Sequence, residues 1–237
     1  MENHFTSDWW NKKQKRLREI IKKRESFPEA IALIKALHGH THTQAVYPTQ
    51  KDSALCALLH DFSPPLKAIM PKKSDVTIAW NLWHITRIED IVTSILILEQ
   101  SSLLTTEIMQ ALEIPFYDTG NAWNDAEIIL FSDKVNFEAL IDYRNNVGLR
   151  TKEMLGTLSF EMLSRKVSPV ALAHVLQEGG VTSAEDSIWL LDFWGKKDIA
   201  GLLLMPITRH QRGHLYDALR LKEQIPKQKY IYLQPER

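Results

Sequence analysis

Apolar residues recur at intervals of three and four along most of this chain, which is the spacing of an amphipathic α-helix. The clearest case is residues 74–100, SDVTIAWNLWHITRIEDIVTSILILEQ, for which Ser74 is a candidate N-cap. Residues 136–158, NFEALIDYRNNVGLRTKEMLGTL, repeat the pattern. We therefore predict a long helix in each of these two segments.

The C-terminal third predicts two more helices. One is SAEDSIWLLDFWG, which opens with a capping-box-like pair, Ser183 and Asp186, and closes on Gly195. The other is KKDIAGLLLMPITRHQRGHLYDALRLKEQI, predicted as one long helix. A kink is expected at Pro206, because proline has no amide hydrogen to donate to the preceding turn.

The N-terminal third predicts a helix over roughly residues 8–38, with a break near Pro28. Residues 101–135 contain EIPFYDTGNAWND, whose turn-forming composition indicates a long irregular connection that crosses the end of a bundle or covers a cavity. Only the tail, KYIYLQPE, alternates like a strand, and it is too short to build a sheet. The predicted fold class is all-α, with residues 1–237 forming a single helical-bundle domain.

Composition excludes several classes of protein. Basic and acidic residues cancel at 29 each, so no overall field favours nucleic acid or an anionic membrane. No apolar run approaches the roughly 18–20 residues that span a bilayer, and the N-terminal residues have no signal-peptide core. The single cysteine, Cys56, fits a reducing compartment. We expect a cytoplasmic protein with no membrane partner.

The densest group of histidines is HGHTHT, which contains His38, His40 and His42. This group straddles Gly39, where a helix is predicted to end, so the three rings need not converge on an ion. A helix C-terminus also favours such side chains through its dipole, without any metal. Both interpretations stay open, and His4 stands apart near the N-terminus.

His210 and His214 lie four residues apart in TRHQRGH, so a helix places them one turn apart on one face. That spacing lets two imidazoles reach one ion, as in the zinc-binding helices of metalloproteases. The face continues through Leu203, Ile207 and Leu221, which predicts that both rings point into the bundle. Two ordinary histidines, satisfied in the core or on the surface, are the alternative.

His84 is the candidate third ligand. In WNLWHITRIED it shares a helical face with Trp80 and Ile88, and the face continues to Ile95, so its ring is also predicted to point inward. Three inward histidines from two helices match an open metal site, in which water or substrate takes the fourth position.

Four segments together resemble the DinB/YfiT-like superfamily of four-helix-bundle metalloenzymes: IAWNLWHITRIEDI, IDYRNNVGLRTKEML, WLLDFWGKKDIAGLLLMP and LLLMPITRHQRGHLYDALRLK. The resemblance covers residues 74–225, and residues 1–73 would supply an N-terminal bundle helix and a linker. It implies a four-helix bundle with additional short helices and a long inter-helix connection. It also implies that His84, His210 and His214 form the metal triad.

The resemblance further implies an activity. Characterised members of the superfamily include thiol-cofactor-dependent transferases and isomerases, which suggests metal-assisted attack of a low-molecular-weight thiol on a small-molecule electrophile. Hydrolysis by a metal-bound hydroxide is a close variant. Imidazole ligands favour Zn, Ni or Fe over Mg or Ca. By the same analogy we expect a homodimer.

The chain departs from the family where many members continue the second histidine of the pair with Gly-Gln, because here Asp217 follows at the third position after His214. Asp217 would orient an imidazole, enter the ligand set or carry a proton; pairing with Arg220 is the structural alternative.

Three residues of the helix that carries His84 are candidate substrate contacts. Trp80 and Trp83 would line a substrate pocket or belong to the core. Arg87 would bind an anionic group of the substrate or form a structural ion pair.

Two functions outside enzymology also fit. A bundle that binds metal or a small ligand without turnover is one of them. Nucleic-acid binding is the other, since residues 12–24, KKQKRLREIIKKR, hold eight basic residues against one acidic residue, just after Trp9 and Trp10. The same stretch also fits a solvated helix face anchored by apolar residues.

Overall fold

The structure is a computed structural model that describes residues 7–235, so His4 lies outside the described part. Its α-helices are α1 (Ser7–Ile20), α2 (Phe27–Gly39), α3 (Ala54–Leu59), α4 (Ile78–Asp90), α5 (Thr106–Leu112), α6 (Asp125–Lys134), α7 (Phe137–Thr157), α8 (Pro169–Gln177), α9 (Glu185–Gly195), α10 (Ile199–Leu204) and α11 (Gln211–Gln224). Two π-helical segments extend this set: Ile91–Ile97 continues α4, and Met205–His210 joins α10 to α11. Residues 7–235 contain no β-strand, only two isolated bridges. The all-α prediction is confirmed.

Four elements surround the centre of the molecule. In cyclic order, α2 contacts α7, α7 contacts α4, α4 contacts α11, and the π segment before α11 contacts α2. The predicted break in the N-terminal helix falls between α1 and α2, with Pro28 in the first turn of α2. Proline is tolerated there because the first amide hydrogens of a helix have no partner inside it. The remaining helices pack around these four.

The core has two apolar halves with a polar layer between them. Along α4, the buried apolar residues up to Ile85 pack in one half, except Trp80, which packs with Met70 and Ile128, and those from Ile88 onward pack in the other half. α7 changes halves between Val147 and Met154, and the last helix changes between Ile207 and Leu215. Several buried polar side chains of these helices lie at or next to the change-over, among them Thr86, Glu89, Asp90, Arg144, Thr151 and Gln211. His84 immediately precedes Ile85, and His210 lies between Ile207 and Leu215, so both histidines lie at or beside this polar layer.

Two predicted helix starts are wrong by a few residues. α4 is capped by Thr77, whose hydroxyl accepts from the amide of Trp80, whereas Ser74 has a positive φ of 57° and lies outside the helix. α9 begins at Glu185 after Ala184, without a side-chain cap, so Ser183 makes no capping box. At α4 the capping role falls to Thr77 instead of Ser74, whereas α9 begins without any side-chain cap.

Pro206 is accommodated by a local change of helix type. The last helix runs on from Ile199 to Gln224, but the six residues Met205–His210 are π-helical. A π segment shifts the hydrogen-bond pattern, so the turn before proline tolerates the missing donor. His210 is the last residue of this segment and takes its position from it.

Residues 101–135 are more ordered than the composition predicted, because they contain α5 and α6. Between those helices lies an irregular loop of residues 113–124. Its backbone carbonyls accept hydrogen bonds from side chains of α4: Trp80 donates to Gly120, and Trp83 donates to Asp118. The loop therefore covers the side of α4 that carries His84.

Among residues 7–235, no helix combines the length and the apolar character that crossing a bilayer requires.

Candidate metal centre

The structure brings His84, His210 and His214 together. Nε2 of His84 lies 3.1 Å from Nε2 of His210, and the three ring centroids form a nearly equilateral triangle with sides of 4.6–5.0 Å. One ligand nitrogen from each ring lies within 4.8 Å of the other two, a grouping that could hold a metal ion. Nitrogen ligands about 2.0–2.1 Å from a tetrahedral ion would be separated by about 3.4 Å, which is close to the observed spacing.

Hydrogen bonds orient two of the three rings. Nδ1 of His84 lies 2.7 Å from the carbonyl oxygen of Thr119, an atom that can only accept. Nδ1 of His214 lies 2.8 Å from Oδ1 of Asn81, and Asn81 is held in that orientation because its amide donates to the carbonyl of Thr77 at 2.9 Å. Both Nδ1 atoms must therefore carry the hydrogen, which leaves each Nε2 with a lone pair. Outer hydrogen bonds of this kind are typical of histidines that bind metals.

The surroundings keep the three rings neutral. Burial lowers the pKa of His84 to about 3, with the neighbouring His214 adding to the effect. Burial also lowers the pKa of His214 to about 4, although Asp217 opposes the shift, and holds the pKa of His210 well below its usual range. Neutral imidazole is the form that binds a metal. At neutral pH the site is therefore ready for an ion without losing protons.

A cavity of about 320 Å³ lies against the three histidine rings. Its remaining walls come from α4, α9, the π segment and the loop after α5: Trp80, Ile88, Asn121, Trp189, Leu190, Phe193, Trp194, Met205 and Pro206. Trp80 also stacks on His84, with ring centroids 4.6 Å apart and an angle of 9° between the planes. The triad thus faces a chamber that is large enough for a small molecule.

No family model and no curated protein matches this chain.

The other residues singled out from the sequence occupy different places. Trp80 lines the cavity, but Trp83 lies in the core against Phe131 and Tyr143. Arg87 is fully buried; its Nε donates to the carbonyl of Tyr117 at 3.0 Å. Neither Trp83 nor Arg87 lines the cavity.

Asp217 is exposed, which leaves it outside the cavity wall. Its Oδ1 lies 3.7 Å from Nε of Arg220, the pairing that was the structural alternative. It acts on the triad through its charge, since it opposes the fall in the pKa of His214.

A second polar group lies in the middle of the bundle. Its histidines are two members of the HGHTHT run: Nε2 of His38 lies 2.6 Å from Oε1 of Glu89, and Nε2 of His42 lies 3.1 Å from Oε2. All three side chains are fully buried, and by residue type and spacing they too could hold a metal ion. The third histidine of the run, His40, points elsewhere and packs against Trp9 and Trp10.

Hydrogen bonding distinguishes the two groups. In the second group each ring can donate an N–H to the Glu89 carboxylate, and Nδ1 of His38 can accept from the hydroxyl of Tyr47 at 2.9 Å. Burial alone would raise the pKa of Glu89, but the two histidines hold it well below its usual range, so the carboxylate stays charged. Arg144 lies 3.8 Å from the same carboxylate. In this group each ring nitrogen that faces Glu89 is paired with its carboxylate, although Nδ1 of His42 is buried without a hydrogen-bond partner. At His84 and His214, by contrast, the free lone pairs converge on one point.

The sequence did not predict the role of Glu89, nor that of Thr119, whose carbonyl orients His84. Glu89 lies five residues after His84 on a helix that is buried all round, which is a signal for a paired buried charge. Its partners come from α2, from the turn that follows α2 and from α7, and no local pattern predicts them. Every residue has a backbone carbonyl, so the identity of Thr119 could not indicate that its carbonyl orients His84.

Proposed function

We propose that this protein is a DinB-like metalloprotein whose centre is a transition-metal ion held by His84, His210 and His214. The observation that carries the proposal is the convergence of ring nitrogens on a point beside a cavity, with two of the rings fixed so that Nε2 has the lone pair. A neutral His210 with its hydrogen on Nε2 would donate to Nε2 of His84, 3.1 Å away, whereas a cation would satisfy the lone pairs of His84 and His214 together. The lowered pKa values keep all three rings in the neutral form that binds a metal.

We further propose that the centre activates a small molecule. Zn, Ni or Fe bound by neutral imidazoles would supply a Lewis acid that lowers the pKa of a water or thiol at the position facing the cavity. A low-molecular-weight thiol attacking a small electrophile, as in a thiol-dependent S-transferase or isomerase, is the reaction that the family resemblance favours, and hydrolysis is the variant. The chain's own part is to orient the ligands through Thr119 and Asn81 and to exclude water with the cavity walls.

The structure supports the two alternative functions, metal binding without turnover and nucleic-acid binding, to different extents. A bundle that holds metal without turnover uses the same triad and is separated from an enzyme only by an assay. Nucleic-acid binding through the basic face of α1 receives less support, because Trp10 is buried and Trp9 packs against His40. Neither ring is then available to stack on a base. The homodimer expected by analogy stays a prediction.

The first experiment measures metal content by elemental mass spectrometry on protein purified without an affinity tag. We expect close to one equivalent of Zn, Ni or Fe in the wild type, and loss of that metal in His84→Ala and His210→Ala. His60→Ala is the matched control, since His60 is exposed, and His42→Ala tests the second group of histidines. Metal retained in both triad variants, or no uptake by the reduced wild type, would contradict the proposal.

A further inference from the structure

Resting on the proposed metal centre, we infer that the cavity beside it binds an uncharged molecule that carries an aromatic ring, with the ring between the aromatic side chains of the wall and a polar head toward the histidines. The inference concerns the class of ligand, and it comes from the chemistry of the cavity walls.

Aromatic side chains dominate the wall. Trp80, Trp189, Phe193 and Trp194 all line the cavity, and the other non-histidine walls are aliphatic apart from Met205 and Asn121. Flat apolar surfaces on several sides favour a flat apolar ligand through buried area and through ring contacts. A metal ion whose remaining ligand is water makes no use of aromatic walls. The four aromatic rings therefore indicate that a larger ligand enters the cavity.

The wall also lacks formal charge. Among residues 7–235, no Lys, Arg, Asp or Glu lines the cavity, and Asn121 is the one polar side chain there besides the histidines and the indole N–H groups. Arg87, the nearest candidate for binding an anion by sequence, donates to the carbonyl of Tyr117 instead. A charge on the distal part of a ligand would lose its hydration and gain no partner, which is costly.

The size of the cavity limits the ligand. A volume of about 320 Å³ lies at the lower end of the range for small-molecule sites and corresponds to roughly ten water molecules. One ring with short substituents fits that space, whereas a peptide-sized thiol would have to leave its charged part outside. Aromatic substrates with one polar head are thus the class that the chamber accepts.

Trp189 is the residue that we expect to set this preference. Its side chain stands at the rim with 47% exposure, which is high for tryptophan, and it meets Phe193 edge to face at 5.8 Å. Its indole N–H donates to the carbonyl of Asp186 at 3.0 Å, which holds the ring in place. A ligand ring that entered the cavity would cover apolar surface that is now open to water.

The test uses the full chain loaded with Co(II), whose visible absorption reports ligands that join the ion. Acetohydroxamate, benzohydroxamate and 4-carboxybenzohydroxamate offer the same metal-binding head with a methyl group, an uncharged ring and a charged ring. We expect benzohydroxamate to bind at least about tenfold more tightly than either of the others, since it alone buries a ring without burying a charge.

Two variants locate the effect. Trp189→Ala should reduce the preference for benzohydroxamate over acetohydroxamate at least about threefold and leave the affinity for acetohydroxamate unchanged. Tyr230→Ala removes an exposed aromatic residue that does not line the cavity, and it should change neither affinity.

The outcomes separate the two proposals. Bound cobalt with equal affinity for the three hydroxamates, or tightest binding of the carboxylated one, would overturn the ligand class and leave the metal centre standing. If cobalt produces no absorption change in the wild type, the metal centre itself is contradicted, and the ligand class falls with it.

Discussion

At the scale of single residues, the tautomer and orientation of two candidate ligands depend on the atoms that accept hydrogen bonds from their rings. His84 and His214 are fixed by acceptors at Nδ1, one a backbone carbonyl and the other the amide oxygen of Asn81. Asn81 is itself fixed by its bond to the carbonyl of Thr77 one turn earlier. A chain of two hydrogen bonds therefore decides which nitrogen of His214 is available to a metal.

We predict that Asn81→Ala weakens metal binding about 10–100-fold, because the His214 ring loses the acceptor that sets its tautomer and orientation. Competition with a chromogenic chelator measures the affinity. Thr93→Val is the control: it removes a buried hydrogen bond, between Thr93 and Thr151, that does not touch the triad. An unchanged affinity in Asn81→Ala, or an equal loss in both variants, would show that Asn81 does not position His214.

The glycine between the paired histidines gives a second residue-scale prediction. A Cβ at Gly213 meets nothing within 4 Å, and the residue is exposed in the first turn of α11, inside the continuous helix that runs from Ile199 to Gln224. Gly213→Ala should therefore stabilise the protein by about 0.5–1 kcal/mol, through reduced freedom of the unfolded chain, and leave the metal content unchanged. Urea unfolding and elemental analysis check the two parts. A loss of metal would mean that the space at Gly213 belongs to the site.

At the scale of elements, α7 shows how one helix serves both packing and polar contacts. Gly148 faces the segment after α2: a Cβ there would lie 2.5 Å from Nδ1 of His42 and 3.0 Å from a methyl of Val46. Arg144, one turn earlier, donates to the carbonyl of Thr41 at 2.9 Å. α7 can approach this segment only because position 148 has no side chain.

Two glycines of α7 allow a matched comparison. Gly148→Ala should lower the free energy of unfolding by about 1–3 kcal/mol, since its methyl group collides with the buried ring of His42. Gly156→Ala, in the same helix but with nothing within 4 Å, should raise the free energy by about 0.5–1 kcal/mol. Chemical denaturation of both variants provides the measurement. Equal effects would mean that helix propensity, and not the close approach, decides.

At the scale of the whole molecule, the polar layer joins the four central helices. Arg144 of α7 donates to Gln211 of α11 at 3.0 Å and to Thr86 of α4 at 3.2 Å, and it lies beside Glu89. Gln211 immediately follows His210, and it donates in turn to the carbonyl of Ile85 next to His84. The layer thus ties the backbone on both sides of the candidate metal centre to one buried network.

Three buried histidines predict how the free energy of unfolding depends on pH. In the folded protein the pKa of His42 and of His84 is about 3, and that of His214 is about 4, against about 6.5 in an unfolded chain. Below about pH 6.5 the unfolded chain binds protons that the folded protein does not. The contribution of these groups to the free energy of unfolding is therefore fully present above that pH. It falls as the pH drops toward 4, by up to about 1.4 kcal/mol per pH unit for each of the three groups.

Urea unfolding of the metal-free protein at about pH 7 and about pH 5 tests this dependence. His84→Asn should reduce the change in the free energy of unfolding per pH unit by the contribution of one group. His60→Gln, which changes an exposed histidine, should leave this pH dependence unchanged. A free energy of unfolding that stays constant between the two pH values would show that these rings are protonated in the fold.

What the sequence determined by itself is the part that depends on local spacing. Apolar residues every three to four positions predicted an all-α chain, the limits of α7 almost to the residue, and inward faces for His84, His210 and His214. A helix face is settled by the geometry of neighbouring turns, so the residues that share it can be read along the chain. The helix starts were less certain, because capping depends on which of several polar residues the packing favours.

Only the tertiary structure decided which partners each inward side chain meets. It placed the loop carbonyl of Thr119 on His84 and brought His38 and His42 to Glu89, and it directed Trp83 and Arg87 away from the cavity. The hydrogen bonds that assign the tautomers of His84 and His214 join residues that lie 35 and 133 positions apart. Helical periodicity carries no information over such separations, because contacts between helices follow from how whole faces pack.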